Sequence, residues 1–318
     1  MSWLDKVTPI NLLEEKEKFF ADQTYNPQFI FTEPIDQDTL YRYGLPKKEY
    51  LDLAKEILDK TYFGRNEKDL IMLEGPILSQ NEVNHKFTTF LKMHKLEERF
   101  SIVWSTAFTS RASINKNTIK LRNNAEFRKD GTIGLIYHEI GTHALRRINY
   151  EKQPWYRKKN EFGLTTDYLR TEEGLAALHS LLPKTFFSAF NSAIRYLAIH
   201  YSQNFSFSEL WQYIGAYIQD RETRWMVTFR QKRGLTDTSQ PGGMTKDLVY
   251  FEGMIEVWRW LRDNEYNPTN LYYGKIAHED SAQAAAISSN NILLPSFYTL
   301  SQEIYKQKME IIGLFNNF

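Results

Sequence analysis

The chain has 318 residues, enough for one large domain or two small ones, and its 42% hydrophobic and 25% charged residues exclude the disordered and low-complexity classes. Lysine and arginine total 40 against 39 aspartate and glutamate, and the resulting formal net charge of +1 does not indicate nucleic acid or an anionic membrane as a partner. Cysteine is absent, which excludes disulfides and Cys nucleophiles and limits any transition-metal site to carboxylates and the 7 histidines.

The distribution of apolar residues is typical of a soluble protein. The first six residues lack the basic segment and apolar run of a signal peptide. No stretch approaches the roughly 20 consecutive apolar residues of a membrane-spanning helix. We therefore expect a cytoplasmic protein with no membrane partner, acting as a monomer.

The N-terminal segment differs in pattern from the rest of the chain. Residues 1–45 contain Pro9, Pro27 and Pro34 and few periodic apolar positions. They are predicted to form an irregular arm, packed on a single domain of residues 46–318.

The next elements in chain order are two helices and a small β region. Apolar residues recur every three or four positions over residues 47–60, and a second helix is predicted over residues 80–96. Residues 100–108 are rich in β-branched and aromatic side chains, and residues 118–122 alternate. With a turn at residues 115–117 between them, these two segments predict antiparallel strands.

The second half of the chain reads as helical. A helix is predicted from Asp130 to Leu145, and another begins at Thr171, whose hydroxyl is suited to capping it. Residues 237–243 form a turn-rich loop. Further helices are predicted over residues 184–202, 206–230, 245–263 and 296–312.

The most informative motif lies on the helix after the strands. His138, Glu139 and His143 form H-E-x-x-x-H, one residue longer than the H-E-x-x-H zinc signature. On an α-helix a five-residue separation rotates the imidazoles about 140° apart. A π-bulge would bring them onto one face, and Gly141, which has no Cβ, suits such a distorted turn. The pattern predicts a metal site with Glu139 as its general base.

A catalytic zinc ion needs a third protein ligand. Glu172 and Glu173 lie on the first turn of the helix that begins at Thr171, as in sites where one helix supplies two histidines and the next a glutamate. Both glutamates are candidates by position. In thermolysin-like aminopeptidases the ligating glutamate directly precedes a glycine, and by that resemblance Glu173, followed by Gly174, is the expected ligand.

The segment HEIGTHALR followed by EEGLA resembles the QEGLA-motif proteins, which include the microtubule-associated tyrosine carboxypeptidases. The similarity covers roughly residues 100–265, and one departure is glutamate for glutamine at residue 172. The resemblance implies a metallopeptidase with one zinc ion held by His138, His143 and Glu173, with Glu139 catalytic. We therefore expect an α+β, mostly helical fold: a zincin-like catalytic domain with a small antiparallel sheet before the HExxxH helix.

The expected reaction is attack of an activated water molecule on a peptide carbonyl. Glu139 would take the proton from the water and pass it to the leaving amine. Lys246 and Tyr250 are four residues apart, so a helix would place them on one face. Tyr250 is the candidate donor to the oxyanion, and Lys246 a candidate contact for a substrate carboxylate.

Cleavage direction depends on which substrate terminus is anchored. A carboxypeptidase needs a cation for the terminal carboxylate, and the arginine candidates are Arg111, Arg122, Arg230 and Arg233. The expected substrate is a protein or peptide tail, cleaved to release a C-terminal residue, aromatic by preference. A zinc endopeptidase, an aminopeptidase and a non-catalytic regulator that keeps the metal site remain the alternatives.

Overall fold

The computed structural model describes residues 6–106, 110–288 and 291–318. These residues are mostly helical, with one small sheet. The helices are α1 (Leu12–Ala21), α2 (Gln37–Leu40), α3 (Lys48–Tyr62), α4 (Glu67–Met72), α5 (Gln80–Met93), α6 (Lys129–His138), α7 (Leu145–Glu151), α8 (Leu169–Leu181), α9 (Phe190–Ser202), α10 (Phe207–Ile214), α11 (Arg221–Lys232), α12 (Leu248–Asp263), α13 (Ser281–Ile287), α14 (Ser296–Thr299) and α15 (Gln302–Asn316). The strands are β1 (Ser101–Ser105), β2 (Ala112–Asn115) and β3 (Thr118–Arg122). A π-helical turn, Glu139–Ala144, joins α6 to α7, and 3₁₀ turns cover Lys159–Phe162 and Thr269–Tyr272.

The chain divides into two units. The first comprises residues 6–70 with residues 189–251, and the second comprises residues 71–188 with residues 252–318. The division between an arm and a domain at residue 45 stays a prediction. None of the described helices is long and apolar enough to cross a membrane.

The first unit has an aromatic core. Phe19, on α1, lies against Phe207, Trp211 and Trp225, with ring centroids 4.9 to 5.4 Å apart. The prediction that residues 1–45 are irregular is therefore wrong at α1. The helix was missed because a charged residue, Glu15, is buried on the same helix between the apolar Leu12 and Phe19 and interrupts the apolar pattern.

Several predicted helices differ in extent from those observed. The predicted helix 184–202 begins only at Phe190, and the predicted helix 296–312 is two helices, α14 and α15. The predicted helix 206–230 is two helices, since α10 ends at Ile214 and the side chain of Asp220 caps a new helix, α11. The predicted helix from residue 245 begins only at Leu248. Lys246 therefore lies in the preceding turn, and the expectation that it shares a helix face with Tyr250 is wrong. The reason is a tertiary contact, because the backbone N–H and hydroxyl of Thr245 both donate to the carbonyl of Leu40.

The sheet is mixed, with the strand order β1-β3-β2. β2 and β3 form the antiparallel hairpin, whereas β1 runs parallel to β3, with Trp104 opposite Leu121. The prediction that residues 100–108 and 118–122 pair antiparallel is therefore wrong. The hairpin partner of β3 is β2, which leaves β1 to pair with the other edge of β3. Residues 107–108 of the predicted strand lie outside the described residues.

Candidate metal centre

The two histidines of the motif lie on one face because of the π-helical turn. His138 is the last residue of α6 and His143 lies within the turn, and their ring centroids are 4.8 Å apart. The predicted widening of the helix is thus confirmed. Gly141 also meets a packing requirement, since a Cβ at this position would lie 2.6 Å from the ring of Phe297.

Side chains bond to the backbone of this turn. The hydroxyl of Tyr272 donates to the carbonyl of Gly141 at 2.6 Å. The hydroxyl of Thr142 donates to the carbonyl of Tyr137 at 2.9 Å and accepts from Nδ1 of the buried His179 at 2.8 Å. These bonds supply partners to backbone and imidazole groups that a buried turn would otherwise leave unsatisfied.

Glycines allow the helices around the turn to approach closely. A Cβ on Gly134 would lie 2.5 Å from the carbonyl oxygen of Ser180, so α6 and α8 touch at this point. A Cβ on Gly174 would lie 2.2 Å from the backbone of Gly253, so α8 also touches α12. Gly174, the glycine of the EEGLA segment, therefore allows the first turn of α8, which carries Glu172 and Glu173, to pack closely against α12.

Three ligand atoms converge at the centre. Nε2 of His143 lies 3.1 Å from Nε2 of His138 and 3.6 Å from Oε2 of Glu173, and the third distance, His138 Nε2 to Glu173 Oε2, is 3.9 Å. In a tetrahedral zinc site with bonds of about 2.0–2.1 Å, ligand atoms are about 3.3 Å apart. Across the described part of the chain, these side chains form the one cluster of three or more histidines and carboxylates that could hold a metal ion. The donor set and its spacing fit zinc.

Glu139, the residue after His138, contacts the sheet. Its side chain hydrogen-bonds to the backbone of Ile114, on β2. Burial raises the pKa of Glu139 to about 7, with His143 lowering it and Glu173 raising it. A carboxyl group with a pKa near neutrality can take up and release a proton at physiological pH.

The other glutamate on the first turn of α8, Glu172, contacts the imidazole of His143. Oε1 of Glu172 lies 2.8 Å from Nδ1 of His143, and Oε2 accepts from Nη1 of Arg146 at 2.5 Å. Nζ of Lys275 lies 3.4 Å from Oε1. Burial alone would raise the pKa of Glu172, but Arg146 and Lys275 hold it well below its usual range.

The two imidazoles differ in their affinity for a proton. Burial opposes a charge on His143, but hydrogen bonds to Glu172 and Glu173 outweigh it and raise the pKa of His143 to about 10. Burial and the neighbouring His143 lower the pKa of His138 to about 4.

The first unit contains a second charged cluster. Arg230 makes a bidentate ion pair with the buried Asp247. Arg195 lies 5.8 Å from the ring of Tyr250. Burial, followed by the charge of Arg230, lowers the pKa of Arg233 to about 10, and Nε of Arg233 is buried without a hydrogen-bond partner in the described structure.

The two arginines near the strands have other partners. Arg111, which precedes β2, pairs with Glu74 at 3.3 Å, and Glu74 also pairs with Lys184 at 2.7 Å. Arg122, at the end of β3, donates to Asn124 at 3.0 Å. The described contacts therefore give Arg111 and Arg122 structural partners and do not join them to the metal ligands.

Sequence reasoning missed the residues behind the ligands. It treated Glu172 as a rival ligand, and it did not single out Arg146 or Lys275. One signal was present, since Arg146 follows His143 by three residues and so shares its helix face. The segment around Lys275 is distant in sequence, and no local pattern connects it to α8.

Comparisons with known proteins place the chain in a family. The family model described as "Microtubule-associated tyrosine carboxypeptidase" matches residues 32–314. The mouse protein "Microtubule-associated tyrosine carboxypeptidase 1" is 32% identical over 314 residues, covering 96% of this chain and 66% of the mouse protein. The human protein of that description is 31% identical, covering 86% of this chain and 59% of its own length. The chain thus spans about three fifths to two thirds of these relatives, and it belongs to the microtubule-associated tyrosine carboxypeptidase family.

Proposed function

We propose that this protein is a zinc-dependent carboxypeptidase of zincin-like fold that removes a C-terminal residue from a protein tail. The observation that carries the proposal is the convergence of His138 Nε2, His143 Nε2 and Glu173 Oε2, beside Glu139, at spacings that suit one tetrahedral zinc ion. The family membership supports a peptidase that acts at a C-terminus.

Each step of the proposed reaction has a candidate residue in this chain. When bound, zinc supplies Lewis acidity that activates water and polarises a peptide carbonyl. Glu139 takes the proton of the attacking water and delivers it to the leaving amine. Tyr250 is the candidate donor to the developing oxyanion, with Arg195 near its ring.

An edge strand beside Glu139 supports a peptide substrate. β2 lies at the edge of the described sheet, and the backbone of its Ile114 contacts Glu139. An extended peptide that paired with such an edge would present its backbone to the general base. This arrangement also suits an endopeptidase, so it supports the substrate class and not the cleavage direction.

The candidate anchors for a terminal carboxylate differ in their present partners. Arg230 is engaged by Asp247, and Arg111 by Glu74. Nε of Arg233 has no acceptor within the described residues, so we rank Arg233 first. Arg122 and Lys246 remain candidates of lower rank.

The identity of the released residue rests on the relatives. Their names describe tyrosine carboxypeptidases, and the high aromatic content of this chain, 15%, supplies rings for a pocket that accepts an aromatic side chain. We propose a C-terminal tyrosine or a similar residue on a flexible cytoplasmic tail, cleaved by a monomeric enzyme.

The metal site is tested by elemental analysis. Protein purified without added metal should contain about one zinc per chain, and His143→Ala should lose it. His85→Ala, at an exposed position on α5, is the matched control and should keep it. Full zinc occupancy in His143→Ala would refute the ligand set.

The reaction is tested with peptide substrates that differ only at the C-terminus. A peptide with a free terminal tyrosine should lose that residue, as followed by mass spectrometry, and its C-terminal amide should not be cleaved. Glu139→Gln should keep zinc and lose on the order of 10² or more in rate. Cleavage at internal bonds or at the N-terminus would instead identify an endopeptidase or aminopeptidase, and an inactive zinc-loaded protein would identify a regulator.

A further inference from the structure

Glu172 makes a hydrogen-bond bridge between a ligand and a buried cation. One oxygen lies 2.8 Å from Nδ1 of His143 and the other 2.5 Å from Nη1 of Arg146. The side chain of Glu172 is 2% exposed and that of Arg146 is fully buried. Both contacts are therefore made away from water, where charge-assisted hydrogen bonds are strong.

Arg146 cannot easily move away from Glu172. Its Nε donates to the carbonyls of Leu271 at 2.9 Å and Gly274 at 3.1 Å, and its Nη2 donates to the carbonyl of Ile276 at 2.7 Å. These three carbonyls hold Nε and Nη2, and they fix the guanidinium group with Nη1 directed at Glu172. The segment that carries these carbonyls also supplies Lys275, the second cation near the carboxylate.

This bridge determines which imidazole nitrogen of His143 carries a hydrogen. A carboxylate beside two cations accepts hydrogen bonds, so Nδ1 of His143 must be the donor. The lone pair of the neutral ring then lies on Nε2, the atom that faces His138 and Glu173. The orientation of the His143 ring and its tautomer, with the hydrogen on Nδ1, are therefore both those that a metal ligand needs.

We propose that Glu172 is the positioning residue for His143, held in place by Arg146, and that this Glu172–His143 pair sets the zinc affinity of the centre. This inference rests on the zinc site proposed above. A glutamine at position 172 could not replace the glutamate fully. Its amide has one oxygen, whereas His143 and Arg146 both donate to residue 172 on opposite oxygens.

The test measures zinc binding directly, by competition with a chromogenic chelator, on the full chain stripped of metal. Glu172→Gln should weaken zinc binding about 10- to 100-fold. The matched control is Glu252→Gln. Glu252 is also buried and pairs with an arginine of α8, Arg170, at 3.0 Å. Glu252→Gln should change zinc affinity by less than about threefold, because its partner Arg170 is not one of the proposed ligands.

A second measurement needs no variant. In zinc-loaded wild-type protein, long-range ¹H–¹⁵N correlation of the imidazole nitrogens should show the hydrogen of His143 on Nδ1 and the metal on Nε2. This result would support the proposal even if Glu172→Gln failed to fold, and the opposite tautomer would overturn it.

The outcomes separate this inference from the proposed function. If the wild type and His143→Ala bind zinc equally, the zinc site fails and the role of Glu172 fails with it. If His143→Ala loses zinc while Glu172→Gln matches the wild type, the zinc site stands and the role of Glu172 is refuted. Equal weakening by Glu172→Gln and Glu252→Gln would show a general effect of removing a buried charge, and would also refute it.

Discussion

The hydroxyl of Thr142 should be essential to the π-helical turn. It donates to the carbonyl of Tyr137, so its single hydrogen is committed, and Nδ1 of His179 must then donate to it. Nε2 of His179 in turn lies 3.0 Å from the hydroxyl of Tyr305. Thr142→Val keeps the shape of the side chain and removes the hydrogen bonds of the hydroxyl to Tyr137 and His179.

The expected loss of stability follows from these two bonds. Each contributes about 1 kcal/mol net, and the fully buried Nδ1–H of His179 is left without an acceptor, so we expect the free energy of unfolding to fall by about 2–3 kcal/mol. Urea unfolding followed by circular dichroism measures the loss, with Thr142→Ser as the control that keeps the hydroxyl. If Thr142→Val unfolds at the same urea concentration as the wild type, or if Thr142→Ser costs as much, the hydroxyl does not stabilise the turn.

Two further predictions concern helix contact and pH. Gly174→Ala should lower thermal stability and zinc content together, because the added methyl would lie 2.2 Å from the backbone of Gly253, which cannot yield as a side chain can; a variant as stable as the wild type would contradict this contact. Burial would raise the pKa of Asp247, but Arg230 and its neighbouring arginines lower it well below its usual range, so the ion pair stabilises the fold above about pH 4 and is lost as the pH falls further. Asp247→Asn should cost about 3 kcal/mol at pH 6 and show a smaller loss of stability between pH 6 and pH 3 than the wild type; urea titrations at the two pH values would detect an unchanged acid dependence, which would refute the pair's role.

The candidate metal ligands could be named from the sequence because the signal of the two histidines is local. His138, Glu139 and His143 lie within six residues, and helix geometry alone shows that a five-residue spacing needs a wider turn. Glu173 was less secure from sequence, since Glu172 precedes it on the same helix turn. The structure separates the two by direction, because Oε2 of Glu173 faces both Nε2 atoms whereas Glu172 contacts Nδ1 of His143.

Elements with weak local patterns were predicted poorly. The helix α1 packs Leu12, Phe19 and Phe20 on the core, but the charged Glu15 is buried between them and interrupts the apolar period. The direction of β1 relative to β3 could not be predicted from the sequence either. Alternation and β-propensity identify a strand but not its partner, and the pairing of β1 with β3 depends on the position of β2 on the other edge.

The sequence by itself identified the candidate ligands of the centre, because residue types, their spacing and a helical context are short-range properties of the chain. Only the tertiary structure decided what surrounds these candidate ligands. Arg146 and Lys275 are 129 residues apart in the sequence, yet both lie against Glu172, and that proximity arises from packing between distant segments. Contacts between distant segments produce no periodic pattern in a single sequence, because the periodicity reflects only the helix or turn to which each residue belongs. The two cations that balance the charge of Glu172 can therefore be identified only in the folded chain.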